Sequence, residues 1–404
     1  DLPLSGIEML TPAEKQQLLI EFNDNSQEYP VTQTISQLFE SQVTRTPEKI
    51  AAVDCNRKLT YQELNAQANQ IARLLQSLGL QPGDFVSIWQ ERNVNFAIAI
   101  LAILKAGGVY VPIDSSYPSE RIAYLLANSG SKILLCDRSS LENSHRILDN
   151  CPQLKHIICI DDLTIKKVIP EIYTPQSFQE LSTDNLESNQ TGIDPAYMIY
   201  TSGSTGLPKG TIIHHGGAIN HIYAQYDALS LNSELTFLQS APASSDISVW
   251  QFLAPILIGG KTVIINQDIL CNPEKLFAVI QQNQITLVEL VPIVLRSFID
   301  YLSQLDTEAR EISCLQWMMV TGESVSGDLV NQWLKLYPDI AIVNAYGPSE
   351  ASDDITQEII KQPLPVNQSN VAIGKPLANL NLYILDSNLQ LVPLGVPGEI
   401  CVSG

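Results

Sequence analysis

From about Val31 onward the chain repeats one pattern: a stretch with apolar or small residues at helical spacing, then a short, wholly apolar run, then another helical stretch. YQELNAQANQIARLLQSLGL (61–80) reads as a helix ending near Gly79, and FVSIW (85–89) as the strand after it. A helix over 95–106, the strand VYVPI (109–113), a helix over 119–128 and the strand KILLC (132–136) follow. Strands that are apolar throughout need cover on both faces, and helices between them provide the crossovers that parallel pairing requires. The alternation therefore predicts an α/β protein with largely parallel sheets.

The pattern pauses over about 165–193, a polar and acidic segment containing DNLESNQTG, and resumes at AYMIYTSG. A second round predicts helices over 216–229, 247–258, 273–283, 291–303 and 325–336, with strands at 235–240, 261–265, 286–290, 315–320 and 341–346. After Lys361 the signal changes to short strands and Pro/Gly turns (NLYILD, LQLVPLG, GEICVSG), which suits a small β subdomain resembling a barrel. A chain of 404 residues exceeds the ~250–300 at which one core stops growing. We therefore expect a linker from an upstream domain (1–30), two α/β subdomains (31–195 and 196–360) and a small β subdomain (361–404) cut off in its last element.

Charge and cysteine usage narrow the function. The net charge of −20 would repel nucleic acid or an anionic membrane, and no basic patch offsets it. The longest apolar run, FAIAILAIL (96–104), is too short to span a bilayer, and DLPLSGIEML lacks the basic head and apolar core of an export signal. Seven cysteines without a C-x-x-C pair read as reduced thiols of a cytoplasmic protein, and the adjacent His214 and His215 do not have metal-ligand spacing.

Residues 197–210, YMIYTSGSTGLPKG, run from an apolar strand into a loop of Ser, Thr and Gly with one lysine. The glycines at 203, 206 and 210 fit neither the Walker spacing nor the dinucleotide fingerprint. What remains is a hydroxyl-rich loop with free backbone N–H groups and one cation, which suits phosphate oxygens and equally suits a solvated turn.

Five separated motifs remove that ambiguity. YTSGSTGLPKG (200–210), LTYQELN (59–65), LKAGGVYVPID (104–114), SDISVWQ (245–251) and NAYGPSE (344–350) stand in the order seen in amino-acid adenylation domains of nonribosomal peptide synthetases. The resemblance covers residues 31–404 and places the chain in the adenylate-forming superfamily, beside acyl-CoA synthetases and luciferases. It implies that Thr201, Ser202, Gly203, Ser204, Thr205, Gly206 and Lys209 wrap the phosphates of ATP. Tyr346 is then expected to stack on adenine, Asn344 to reach its amino group together with the backbone of Gly322, Glu323 and Ser324, and Ser349 to touch the α-phosphate. Glu350 is expected to ligate magnesium, since a carboxylate beside a triphosphate needs a cation between them.

By the same resemblance Asp246 binds the α-ammonium of the substrate, which favours an α-amino acid. Many members carry Phe where this chain has Ser245, so a gating role there is not carried over. The family's specificity positions fall on Asp246, Ile247, Trp250, Glu289, Met319, Thr321, Ala345, Asp353 and Asp354. Three acids beyond Asp246 imply a cationic side chain, because clustered carboxylates repel unless a cation joins them. The alternative is that Asp353 or Asp354 points outward and caps the turn after NAYGPSE. Family architecture further implies a mobile lid carrying a catalytic lysine beyond residue 404, so these residues alone are expected to be weakly active. It also implies a peptidyl carrier domain whose phosphopantetheine thiol takes the adenylate, and a condensation domain upstream. Competing readings are an acyl-CoA or aryl-acid ligase and a non-catalytic nucleotide-binding module.

Overall fold

A computed structural model of the chain describes residues 9–142, 147, 150–161, 171–202, 206–365 and 368–404. The alternation seen in the sequence produces two large sheets. The seven-stranded sheet runs Glu171–Tyr173, His156–Cys159, Ile133–Cys136, Phe85–Trp89, Val109–Ile113, Pro195–Thr201, Lys209–His214, parallel until the last, antiparallel pair. The nine-stranded sheet runs Lys375–Pro376, Thr356–Ile360, Ala341–Tyr346, Trp317–Val320, Leu287–Leu290, Thr236–Gln239, Lys261–Ile264, Ile50–Val53, Lys58–Thr60, parallel through its middle and antiparallel at both edges. Asn381–Leu385 and Glu399–Ser403 form a separate antiparallel pair. Among the described residues this C-terminal part is a two-stranded ribbon, not a barrel.

The sheets do not divide where the sequence pauses. Strands Pro195–Thr201 and Lys209–His214 complete the first sheet, and Ile50–Val53 and Lys58–Thr60 join the second, so each sheet borrows from the far side of residue 195. The reason is physical: IAAV buries equally well in either sheet, and only the partner strand Lys261–Ile264 assigns it. The segment before residue 31 also holds more than a linker. Thr11 and Glu14 form a reciprocal capping box that starts the helix Pro12–Leu19, which buries no side chain and so gives no apolar period to read. This segment packs on the C-terminal part of the chain: Asn25 Nδ2 donates to the carbonyls of Leu377 and Leu380 (3.0 and 2.8 Å).

Five helices lie between the sheets: Ile35–Arg45, Tyr61–Ser77, Val94–Ala106, His215–Leu229 and Asp246–Ile258. Val94–Ala106 is buried at every position but Asn95, as its almost wholly apolar sequence requires of a helix covered on every side, and its one cation, Lys105, pairs with Glu40. Phe96 stacks on Phe252 with ring centroids 5.3 Å apart, and Tyr61 Oη donates to the Gly260 carbonyl at 2.8 Å. The outer face of the nine-stranded sheet is covered by Pro273–Asn283, Pro292–Leu302 and Gly327–Leu336, and that of the seven-stranded sheet by Ser119–Ser129.

Candidate active site

The residues singled out from the sequence gather at the carboxyl ends of the parallel strands, where such sheets place their ligands. Thr201 ends Pro195–Thr201, Glu289 lies near the end of Leu287–Leu290, Thr321 follows Trp317–Val320, and Tyr346 ends Ala341–Tyr346. Asp246 opens the helix Asp246–Ile258, where a carboxylate is favoured by the helix dipole. Its Oδ1 accepts from the Ile247 amide (2.9 Å) and from Ser245 Oγ (3.1 Å), while Ser349 Oγ donates to Oδ2. The expected α-ammonium ligand and the expected α-phosphate contact thus meet directly across the cleft. Ser245 braces the carboxylate.

On the side where phosphate contacts are expected, Thr201 and Lys209 face each other in antiparallel register at the two ends of the 202–208 segment. Ser202, Gly206 and Lys209 are exposed; Gly203, Ser204 and Thr205 lie outside the described residues. Thr201 Oγ1 donates to Glu350 Oε1 at 3.3 Å, which sets an exposed carboxylate against this loop. No group of three or more His, Cys, Asp or Glu is placed to hold a metal among the described residues. A single carboxylate beside phosphates nonetheless fits magnesium, which keeps waters and substrate oxygens as its other ligands. Tyr346 is 42% exposed, so one ring face is open to a base. Gly322, with φ +84°, turns the chain after its strand and exposes Glu323 and Ser324. Asn344 is buried and its Nδ2 donates to the Ala372 carbonyl (2.8 Å).

The residues expected to set specificity lie on strands of the nine-stranded sheet, in the turns that follow them and on the helix Asp246–Ile258. Met319, Ala345 and Trp250 are buried in the shared core, Ile247 is half-buried, and Glu289 and Met319 are register partners on adjacent strands. Glu289 is 1% exposed; its Oε2 accepts from Trp250 Nε1 (2.9 Å) and Gln251 Nε2 (3.0 Å), and its Oε1 has no partner. Burial, then the nearby Asp354, pushes its carboxyl up to about 8, against the two donated hydrogen bonds. Asp353 and Asp354 point inward, at 4% and 1% exposure, so neither caps the turn. Ser352 (φ 68°) and Asp353 (φ 87°) both take the left-handed conformation, and this double reversal carries both acids back into the protein. Asp353 Oδ2 has no partner, and burial together with Asp354, Asp246 and Glu289 holds this carboxyl well above the usual range.

Asp354 is the acid the protein satisfies. Gln225 Nε2 donates to its Oδ2 (3.2 Å), Thr321 Oγ1 to its Oδ1 (3.4 Å), and His221 Nε2 lies 3.9 Å from Oδ2. His221 and Gln225, one turn apart on His215–Leu229, are not legible as site residues in the sequence. Two polar residues at i and i+4 on an otherwise apolar helix face are the only local signal they give. Gln251 escapes sequence reasoning likewise. Its Oε1 accepts from the Ser240 and Ala241 amides (2.9 Å each), tying the helix that carries Asp246 to the loop after Thr236–Gln239.

Two largely parallel sheets around a common helical layer, with a Ser/Thr/Gly-rich segment and a cluster of buried acids at their strand ends, define a class: an α/β protein with its candidate ligand site at the carboxyl edge of the sheets. More narrowly, the chain belongs to the AMP-binding enzyme family, whose pattern matches residues 39–404. It is 35% identical to tyrocidine synthase 3 of Brevibacillus parabrevis, over all of this chain and 6% of that protein. It is 35% identical to gramicidin S synthase 2 of Brevibacillus brevis, over all of this chain and 9% of that protein. The chain therefore spans a small part of these relatives. Among solved structures, the nonribosomal peptide synthetase FmoA3 with α-methyl-L-serine-AMP bound superposes with a TM-score of 0.84 at 26% identity, covering 100% of this chain and 43% of that one. The N-terminal subdomain of Klebsiella oxytoca NpsA in complex with 3-hydroxybenzoyl-AMSN gives 0.75 at 25% identity, over 92% and 87%.

Proposed function

We propose that this chain activates an α-amino acid with a cationic side chain, using ATP, to an aminoacyl-AMP for nonribosomal peptide synthesis. A substrate carboxylate oxygen attacks the α-phosphorus, an acyl–phosphate bond forms, and the bond to the β-phosphate breaks to release pyrophosphate. Such a reaction needs two anions held together while charge builds on the leaving group, so positioning and charge neutralisation dominate. Asp246 anchors the α-ammonium, displacing the hydroxyl of Ser349, which is then free to hydrogen-bond the α-phosphate. Lys209 and the 202–206 loop hold the departing phosphates. Glu350 would hold magnesium, which when bound supplies positive charge between the carboxylate and the phosphates.

One observation supports the side-chain reading above the others: Glu289, Asp353 and Asp354 are buried together, Glu289 and Asp353 also feel the charge of Asp246, and no lysine or arginine is paired with the three among the described residues. Buried acids without a cation stay protonated because the charged form is costly there, and a bound ammonium or guanidinium favours their ionised form. The α-methyl-L-serine-AMP bound to FmoA3 and the likeness to peptide synthases support an amino acid as substrate, and transfer of the adenylate to the phosphopantetheine thiol of a carrier domain is part of this proposal. Pyrophosphate exchange across a panel of twenty or more amino acids tests this. Preferred turnover of ornithine, lysine, arginine or diaminobutyrate is expected; preference for leucine or phenylalanine sinks the cationic reading.

A further inference from the structure

Resting on that reading, we infer that Gln225 is a further specificity-determining residue, and that with Glu289 and Asp353, which release their protons when the cation binds, it forms a receptor made only of acceptors. Three buried oxygens at this cluster have no hydrogen-bond partner: Glu289 Oε1, Asp353 Oδ2 and Gln225 Oε1. Gln225 is fully buried, and the orientation of its amide follows from chemistry. Its nitrogen carries two hydrogens. One goes to Asp354 Oδ2 at 3.2 Å, and the other faces His221 Nε2 at 3.5 Å, an acceptor in the tautomer that carries its proton on Nδ1. A reversed amide would set its oxygen against a carboxylate. Pinned in this way, the amide has only its oxygen left to offer.

His221 is held in turn: its ring meets the edge of Trp250, centroids 5.7 Å apart at 71°, while Trp250 Nε1 holds Glu289. His221 is thus a positioning residue acting through Gln225. The consequence is a division of labour among the acids. Asp354 is consumed by Gln225 and Thr321, whereas Glu289 and Asp353 each keep one oxygen for a ligand. A buried acceptor left unpaired is disfavoured, so three together select a ligand end that brings three or more N–H donors and no acceptor of its own. An ammonium and a guanidinium meet that description; a charge alone does not.

The test compares, by pyrophosphate exchange in the full-length protein, lysine, arginine, citrulline, norleucine and Nε-trimethyllysine, which keeps the positive charge and loses every donor. Rejection of trimethyllysine relative to lysine by about a hundredfold or more in kcat/KM is expected, because a site built to hydrogen-bond rejects an analogue lacking the donors. Equal use of the two overturns the acceptor receptor while the cationic reading survives. Activation of citrulline, whose ureido oxygen is itself an acceptor, in preference to every cationic acid overturns both the cationic reading and the acceptor receptor, and so does preference for norleucine. In Gln225→Met, the preference for the best donor-bearing substrate over norleucine falls about tenfold, mainly through KM, with a smaller fall in His221→Phe. An unchanged preference in a folded Gln225→Met protein removes Gln225 from the specificity set. The trimethyllysine comparison needs no variant and stands if that protein fails to fold.

Discussion

Glu289 shows how one buried side chain ties stability to pH. Its carboxyl titrates near 8 in the folded chain against an ordinary 4.5. Between those values the unfolded chain has released a proton that the folded chain retains, so the native state binds more protons and stability falls as pH rises. Below the lower value both states are protonated and the full contribution is present; it is lost as pH rises through the upper one. Glu289→Gln keeps an oxygen to accept from Trp250 and Gln251 and removes the titration. Thermal melts between about pH 5 and pH 9 should then show a smaller decline of the midpoint for the variant than for the parent chain. Some decline persists, because Asp353 is raised in the same direction. Identical slopes would mean that Glu289 ionises normally. The sequence shows that acids stand at 289, 353 and 354, but burial and unpaired oxygens are properties of surroundings that other segments supply.

At the scale of the element, the turn after Ala341–Tyr346 sets the pocket. Gly347 packs so closely on the backbone of Asp353 and Asp354 that a methyl group there would collide with the Asp353 carbonyl. Backbone cannot swing aside as a long side chain can. Gly347→Ala is therefore expected to displace the 352–354 reversal, lower stability by about 2 kcal/mol and abolish most adenylation, read by chemical denaturation and pyrophosphate exchange. Gly210→Ala is the control, since its new methyl would meet the flexible Met198 side chain. Equal tolerance of both substitutions would show that the turn does not hold the acids. The motif NAYGPSE signals a turn from its Gly and Pro, but the inward course of Asp353 and Asp354 depends on two successive left-handed residues, neither of them glycine. Local propensity argues against that conformation, which is why the outward, capping alternative reads equally well in the sequence.

For the whole molecule, the shared helical layer makes one structural unit of two sheets. One continuous core includes Val86, Ile88 and Tyr197 from the seven-stranded sheet and Ala52, Phe237 and Met319 from the nine-stranded sheet. A single calorimetric transition is expected, with Phe252→Ala lowering it as a whole by about 3–5 kcal/mol in stability. Two separate transitions, only one of which moves, would show that the sheets fold independently.

What the sequence determined by itself is the local and the periodic: most helices and strands nearly to their ends, the largely parallel α/β class, and the motifs that place the chain in its family. These follow from side-chain spacing and residue chemistry, which a chain carries wherever it is placed. Only the tertiary structure decided which sheet Ile50–Val53 joins, that Ser349 meets Asp246, and that Gln225 and His221 face Asp354. Each of these joins residues about 100 or more positions apart, and the free energy that selects them comes from removing apolar surface and pairing buried polar atoms, which no single segment can do alone.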